Sequence, residues 1–178
     1  TISVLIVIYL FLAVKIVSQA ELVVIERLGK FHRTLGAGIN FIVPFIDQKR
    51  SSFSTQEQII DVPRQAVITK DNVSIQIDAV VFIRINDAKQ ATYEIQDLKG
   101  AIAQLAQTTL RAEIGRMELD DTLSSRADLN AVLLTALDLA SSTWGAKVTR
   151  VEVADISVPE AVHRAMEVLM EAERDRLE

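Results

Sequence analysis

The chain has 178 residues, 49% of them hydrophobic and 24% charged, enough apolar material for a packed core and too much for a disordered polymer. Its net charge of −5, with no basic patch to offset it, argues against nucleic acid as a partner. It has no cysteine, which excludes a disulfide framework, a thiolate metal site and a cysteine nucleophile together, and its single tryptophan offers no stacking platform.

The first element is Thr1 to Val17, TISVLIVIYLFLAVKIV, in which Ser3 and Tyr9 are the only polar side chains from Ile2 to Val14. A bilayer core about 30 Å thick takes ~20 apolar residues to cross as a helix. The run falls short of that, but the chain opens on Thr without an initiator Met, so more of the segment is expected upstream. Residues 1–17 are therefore expected to be a membrane anchor, with Val4, Leu5, Ile8, Leu10, Phe11 and Leu12 entering the bilayer. Two alternatives stand beside it. One is a buried core helix. The other is a signal peptide cut after Ser18-Gln19-Ala20, which would release a secreted or periplasmic binding domain.

Glu21 to Leu28 is β-branched and ends at Gly29-Lys30, which predicts a first strand. Leu35-Gly36-Ala37-Gly38 predicts a turn. Ile39 to Ile46, INFIVPFI, is apolar on both strand faces apart from Asn40, and Pro44 lacks the N–H of a central strand. It is either a buried edge or an apolar loop dipping into the bilayer through Ile39, Phe41, Ile42, Pro44 and Phe45. Ser51–Ser54, Gln56–Val62 (closed by Pro63) and Ala66–Thr69 read as further short strands, with a turn at Lys70-Asp71-Asn72. Val73 to Ile85 alternates apolar and polar over thirteen residues, a half-buried antiparallel strand long enough to predict a bend or bulge.

The period then changes. Asn86 or Asp87 can cap a short helix to about Tyr93, and Asp97 a longer one to Gly115 with a stripe of Leu98, Ile102, Leu105, Thr109 and Ala112 and with Leu110 and Ile114 beside it. Asp120-Asp121 suit the positive N-terminus of a helix better than catalysis. A helix is predicted from about Ser125 to Thr143, then a strand from Lys147 to Ile156. Ser157 and Pro159 start a last helix whose seam is Val162, Met166, Leu169 and Leu177, rimmed by Glu171, Glu173, Arg174 and Arg176. A narrow seam between mixed charges suits packing against neighbouring helices; the plain alternative is a solvated helix lying on its own domain.

No catalytic pattern emerges. His32 and His163 lie in separate segments without a metal-ligand neighbour, the paired serines have no visible base, and no nucleotide, zinc-protease or hydrolase motif occurs. The expectation is a protein that is not an enzyme and carries no cofactor or metal.

Several phrases carry a resemblance. Glu26-Arg27-Leu28-Gly29-Lys30-Phe31 followed by Leu35 to Pro44 resembles the opening of stomatin-type proteins. Ile68 to Val73 with Asp78-Ala79-Val80-Val81, then Leu105 to Arg111 with Ile114-Gly115 and Glu118-Leu119, then Trp144 to Val148 with Val151-Glu152 and Asp155-Ile156, follow in the family's order. Over residues 20 to 178 the chain is similar to the stomatin/prohibitin/flotillin/HflK–HflC (SPFH, band 7) superfamily, nearest its paraslipin (QmcA-like) branch. Ala37 departs from the pattern, standing where a Pro-Gly turn is usual.

The resemblance implies an α+β fold: an anchor at 1–17, a β-rich membrane-proximal lobe at 18–86, a mixed α/β second lobe at 87–158, and a coiled-coil helix starting at 159–178. It implies a homo-oligomeric ring or cage on a bacterial inner membrane that organises lipids and regulates a membrane protease of FtsH type or binds another small membrane protein. The Lys/Arg residues after the first segment point to a body on the cytoplasmic side.

Overall fold

A computed structural model describes residues 2–158, together with Arg164 and Val168. The elements, in order, are α1 (Ile2–Ala13), β1 (Val14–Val17), β2 (Glu21–Arg27), β3 (Lys30–Leu35), β4 (Gly38–Phe41), β5 (Asp47–Ser54), β6 (Gln58–Ile68), β7 (Ser74–Ile85), α2 (Ala88–Tyr93), α3 (Leu98–Ile114), α4 (Leu119–Ser124), α5 (Arg126–Ser141) and β8 (Ala146–Ser157). The fold is α+β with antiparallel sheets, as the sequence predicts. The chain divides into two compact units, the first from residues up to Gln58, Ile83–Leu98 and Asp138–Thr149, the second from Ile59–Phe82, Lys99–Leu137 and the chain from Arg150.

In the first unit β2 is the central strand of the sheet β3-β2-β5. Both its faces are covered, so Val23, Val24 and Ile25 are all buried in succession. Val23 and Ile25 cluster with Val17 and Leu35, and Ile42 packs against that cluster. On the other face α2 lies against the strand: the Tyr93 hydroxyl donates to Glu26 Oε1 at 2.7 Å and the Ser51 and Thr92 hydroxyls meet at 2.6 Å. Asp87 caps α2 as predicted, its Oδ1 accepting from the backbone N–H of Lys89 and Gln90. A 3-10 turn at Ser142–Trp144 ends on Gly145, whose φ of 72° is left-handed and whose carbonyl accepts the N–H of Asn86 and Asp87.

The other three-stranded sheet runs β6-β7-β8. β7 buries Ile75, Ile77, Ala79, Val81, Ile83 and Ile85 without a break in phase. The two short strands expected around Pro63 are one strand, β6. Pro63 is tolerated because β6 is an edge, where a missing N–H deprives no partner. The phase slips there instead, Pro63 and Arg64 being exposed in succession. In the second unit α3 is tied to β6 by Gln65, which donates to the Gln107 carbonyl and accepts from Arg111. Its buried stripe is Leu98, Ile102, Ala106, Leu110 and Ile114, rotated from the predicted one, and Ala112 is exposed. The helix expected from Ser125 is preceded by a separate turn of helix, α4, whose first turn holds Asp120 and Asp121. The Asp71 carboxylate accepts the Thr69 hydroxyl and the Leu119 N–H, pinning the 69–73 turn to the start of α4.

The N-terminal expectation needs correction. The apolar run is not one helix through Val17: α1 stops at Ala13, and Val14–Val17 pair with β4. This β-branched stretch gains a ladder of backbone hydrogen bonds by leaving the helix. Among the described residues no helix is long and apolar enough to cross a membrane. The Ile39–Ile46 run also divides, into β4 and a turn containing Pro44. Release after Ala20 finds no support, since it would strip β1 from β4 and Val17 from the core cluster. The expected seam and rim residues Val162, Met166, Leu169, Glu173, Arg174 and Leu177 lie outside the described residues.

Candidate functional site

The most unusual surface of the first unit is apolar. Helix α1 exposes Val4, Ile6, Val7, Ile8, Leu10, Phe11 and Leu12 around its circumference, with no polar face; of Leu5 only the backbone is described. A helix apolar all round calls for apolar surroundings on every side. The strand that follows continues the theme. In the β1–β4 ribbon Val14 faces Phe41 and Ile16 faces Ile39, while Lys15 faces Asn40 and Val17 faces Gly38. Alternation therefore splits the ribbon cleanly. One face carries Val17 into the core. The other presents Val14, Ile16, Ile39 and Phe41, the last three each at least 68% exposed.

Beyond Phe41 the chain turns through residues 42–46. Ile42 and Pro44 are half-buried, but Phe45 is 87% exposed with φ of 71°. Beside it stands the two-residue loop between β2 and β3, Leu28-Gly29, where Arg27 pairs with Lys30. Both central residues have positive φ, 52° and 79°, as a type I′ hairpin demands. Such a corner favours Asn-Gly; a leucine held there costs about 1–2 kcal/mol in backbone strain. Yet Leu28 is 82% exposed and packs on little that could offset the cost. The two tips are joined, because the Leu28 N–H donates to the Ile46 carbonyl at 3.4 Å.

A single ion pair fixes both. Arg27, at the base of one tip, grips Asp47, at the base of the other, through two bonds of 2.6 and 2.9 Å. The Asp47 side chain is fully buried and also accepts the Val43 N–H at 2.8 Å, while its own N–H donates to the Val43 carbonyl. The guanidinium holds the Asp47 carboxyl far below the ordinary carboxylate range. Between Leu28 and Ile46 the chain carries Lys30, His32 and Arg33 and no acidic residue at all. All three are exposed, and Arg33 donates to the Phe41 carbonyl.

The sequence singled out Ile39, Phe41, Ile42, Pro44 and Phe45, and the structure places Ile39 and Phe41 on the ribbon face and Phe45 at a tip. It placed Val14 and Ile16 in the anchor rather than on a strand, and it missed Leu28. The signal for Leu28 was available: two short strand-like runs separated by two residues, the second a glycine, mark a tight hairpin. Elsewhere, a recess lined by Ser18, Glu21, Ser52, Ser54 and Gln56 offers hydroxyls without a histidine. Among the described residues no group of three His, Asp or Glu could hold a metal ion.

Compared with known proteins, the sequence matches the SPFH domain / Band 7 family over residues 15–178. The chain belongs to that family. The resemblance carried by the sequence phrases is thus borne out, and the match begins inside β1. Among relatives of this SPFH chain, human "Stomatin-like protein 2, mitochondrial" is 43% identical over 158 residues, 89% of this chain and 44% of that protein. "Stomatin-like protein stl-1" of Caenorhabditis elegans is 38% identical over 163 residues, 92% of this chain and 50% of that protein. An uncharacterized protein of Mycobacterium tuberculosis is 40% identical over 164 residues, 92% of this chain and 43% of that protein. The SPFH chain spans about half the length of the curated relatives it matches.

Proposed function

We propose that this SPFH chain is the membrane-docking part of a non-enzymatic scaffold. The observation that carries this is the β1–β4 ribbon: a two-stranded element continuous with a helix that is apolar but for Ser3 and Tyr9, with Val14, Ile16, Ile39 and Phe41 turned outward. Water is a poor solvent for such a face, and a bilayer is a good one. In this reading α1 enters the lipid, and the ribbon and the tip at Phe45 rest on it. The bilayer is the plasma membrane of a bacterium, with the body on the side favoured by Lys15 and the Lys/Arg residues after it.

Copies held this way assemble side by side into a ring or cage, with the seam Val162, Met166, Leu169 and Leu177 joining neighbouring helices and Glu173 and Arg174 setting their register. The assembly clusters lipids and small membrane proteins and regulates a membrane protease of FtsH type. The test has two parts. Mixed with lipid vesicles on a density gradient, the protein should float with the lipid; protein left at the bottom as a monodisperse solute refutes the docking. Imaged after detergent extraction, it should form closed particles that disperse when the chain is cut after Pro159; particle size unchanged by that cut refutes the assembly.

A further inference from the structure

We infer that the Leu28-Gly29 and Phe45-Ile46 turns form one twin wedge that inserts into the interface of an anionic bilayer, with the Arg27–Asp47 pair as the staple that sets their spacing. The inference rests on the bilayer reading above and adds to it a site, Leu28, and a lipid class.

Three independent features converge. First, both tips hold a bulky apolar residue in the left-handed region, Leu28 at φ 52° and Phe45 at φ 71°, and both project into solvent. Strain of this kind persists where function needs it, and at Leu28 an asparagine would satisfy the hairpin more cheaply. Second, the tips are one rigid object. Leu28 N–H bonds the Ile46 carbonyl, and the bidentate Arg27–Asp47 pair ties the strand leading into one turn to the strand leaving the other. Third, the charges around the tips have one sign. Lys30 and Arg33 are exposed, while the neighbouring acids are occupied: Asp47 by Arg27, and Glu26 by Tyr93 and Arg50. A cationic collar behind apolar tips, in a chain of net charge −5, complements anionic headgroups above an acyl layer.

The absence of cysteine makes the test clean. A single cysteine introduced at Leu28, at Phe45 or, as a control, at the exposed Leu139 is labelled with a polarity-sensitive dye in the full chain. The chain is mixed with vesicles of pure phosphatidylcholine or of phosphatidylcholine with phosphatidylglycerol, and co-flotation is measured on the same samples. A blue shift at both 28 and 45 on phosphatidylglycerol vesicles, with none at 139, is the expected result. Co-flotation with a silent dye at 28 overturns the twin wedge and leaves the bilayer reading standing. No co-flotation at all overturns the bilayer reading itself and the wedge with it. Equal shifts on pure phosphatidylcholine overturn the anionic preference. A second measurement uses Leu28→Asn: its urea midpoint should rise, because strain is relieved, while the blue shift of a dye at 45 falls. A lowered midpoint would mean that Leu28 serves the fold, and would overturn its assignment to lipid.

Discussion

Replacing Gly145 with alanine tests how tightly the start of α2 is built. A Cβ at this position would lie 2.3 Å from the Asp87 carbonyl oxygen and 2.9 Å from Gln90 Cβ. Ordinary contact is ~3.5 Å, so the two segments must part by roughly 1 Å. That retreat breaks the bonds by which the Gly145 carbonyl accepts the N–H of Asn86 and Asp87, each worth about 1 kcal/mol. Alanine at a φ of 72° adds about 1–2 kcal/mol. The sum is a loss of about 3–4 kcal/mol, large for a single methyl group. Gly29→Ala is the matched control: its φ is 79°, but no atom lies within 4 Å of the added Cβ, so only the backbone cost applies. Urea unfolding followed by Trp144 fluorescence and far-ultraviolet circular dichroism reads both, and with a slope near ~2 kcal/mol/M the Gly145 variant should lose about 1.5–2 M in midpoint. Equal losses for the two variants would refute the steric argument.

Two further outcomes follow from the packing and the charges. Leu110→Ala should cost about 2–5 kcal/mol by opening a cavity under α3, whereas Ala112→Glu should change stability by less than ~0.5 kcal/mol; the reverse ranking in thermal melts would restore the stripe predicted from sequence. Asp47→Asn should lower the melting temperature and loosen residues 42–46 to limited proteolysis. Because the folded carboxyl titrates below the ~3.9 of an unfolded aspartate, the pair's contribution is complete above that value and drains away as acid takes the solution beneath it. The gap between wild type and Asp47→Asn should therefore stay flat from about pH 5 to 8 and narrow below about pH 4; a gap that closes near neutrality would contradict the assignment.

Some elements were legible because one local rule governs them. β7 buries every second residue against one face, so its period of two survives in the sequence intact. Asp87 announces α2 because a short acceptor side chain before a helix has one obvious task. Other elements answer to tertiary partners that no local window contains. Ala106 is small enough to look incidental, yet it occupies the centre of the buried stripe of α3. Pro63 reads as a terminator unless β6 is known to be an edge. Val14 to Val17 continue the composition of α1 and leave the helix only because β4 supplies hydrogen-bond partners from more than 20 residues away, Gly38 for Val17 and Phe41 for Val14. In the candidate site, Phe45 is conspicuous within a long apolar run, whereas Leu28 hides at the end of a strand whose other apolar residues face inward. What separates it from them is the sign of one backbone torsion.

The junction at Ala13 has a mechanical consequence. α1 passes into β1 with no intervening residue, and the Ala13 carbonyl accepts the Ile42 N–H at 2.8 Å, one step beyond the last rung of the β1–β4 ladder. A tether usually ends in slack, a few loose residues that absorb a tug before the body feels it. Here there is none. Any pull or tilt on α1 loads the backbone bonds of the ribbon together, and through Val17 and Ile42 it reaches the packed cluster of Val23, Ile25 and Leu35. The helix and the first unit are geared to each other, so that thickening, thinning or bending of whatever surrounds α1 would register as torque on the domain behind it.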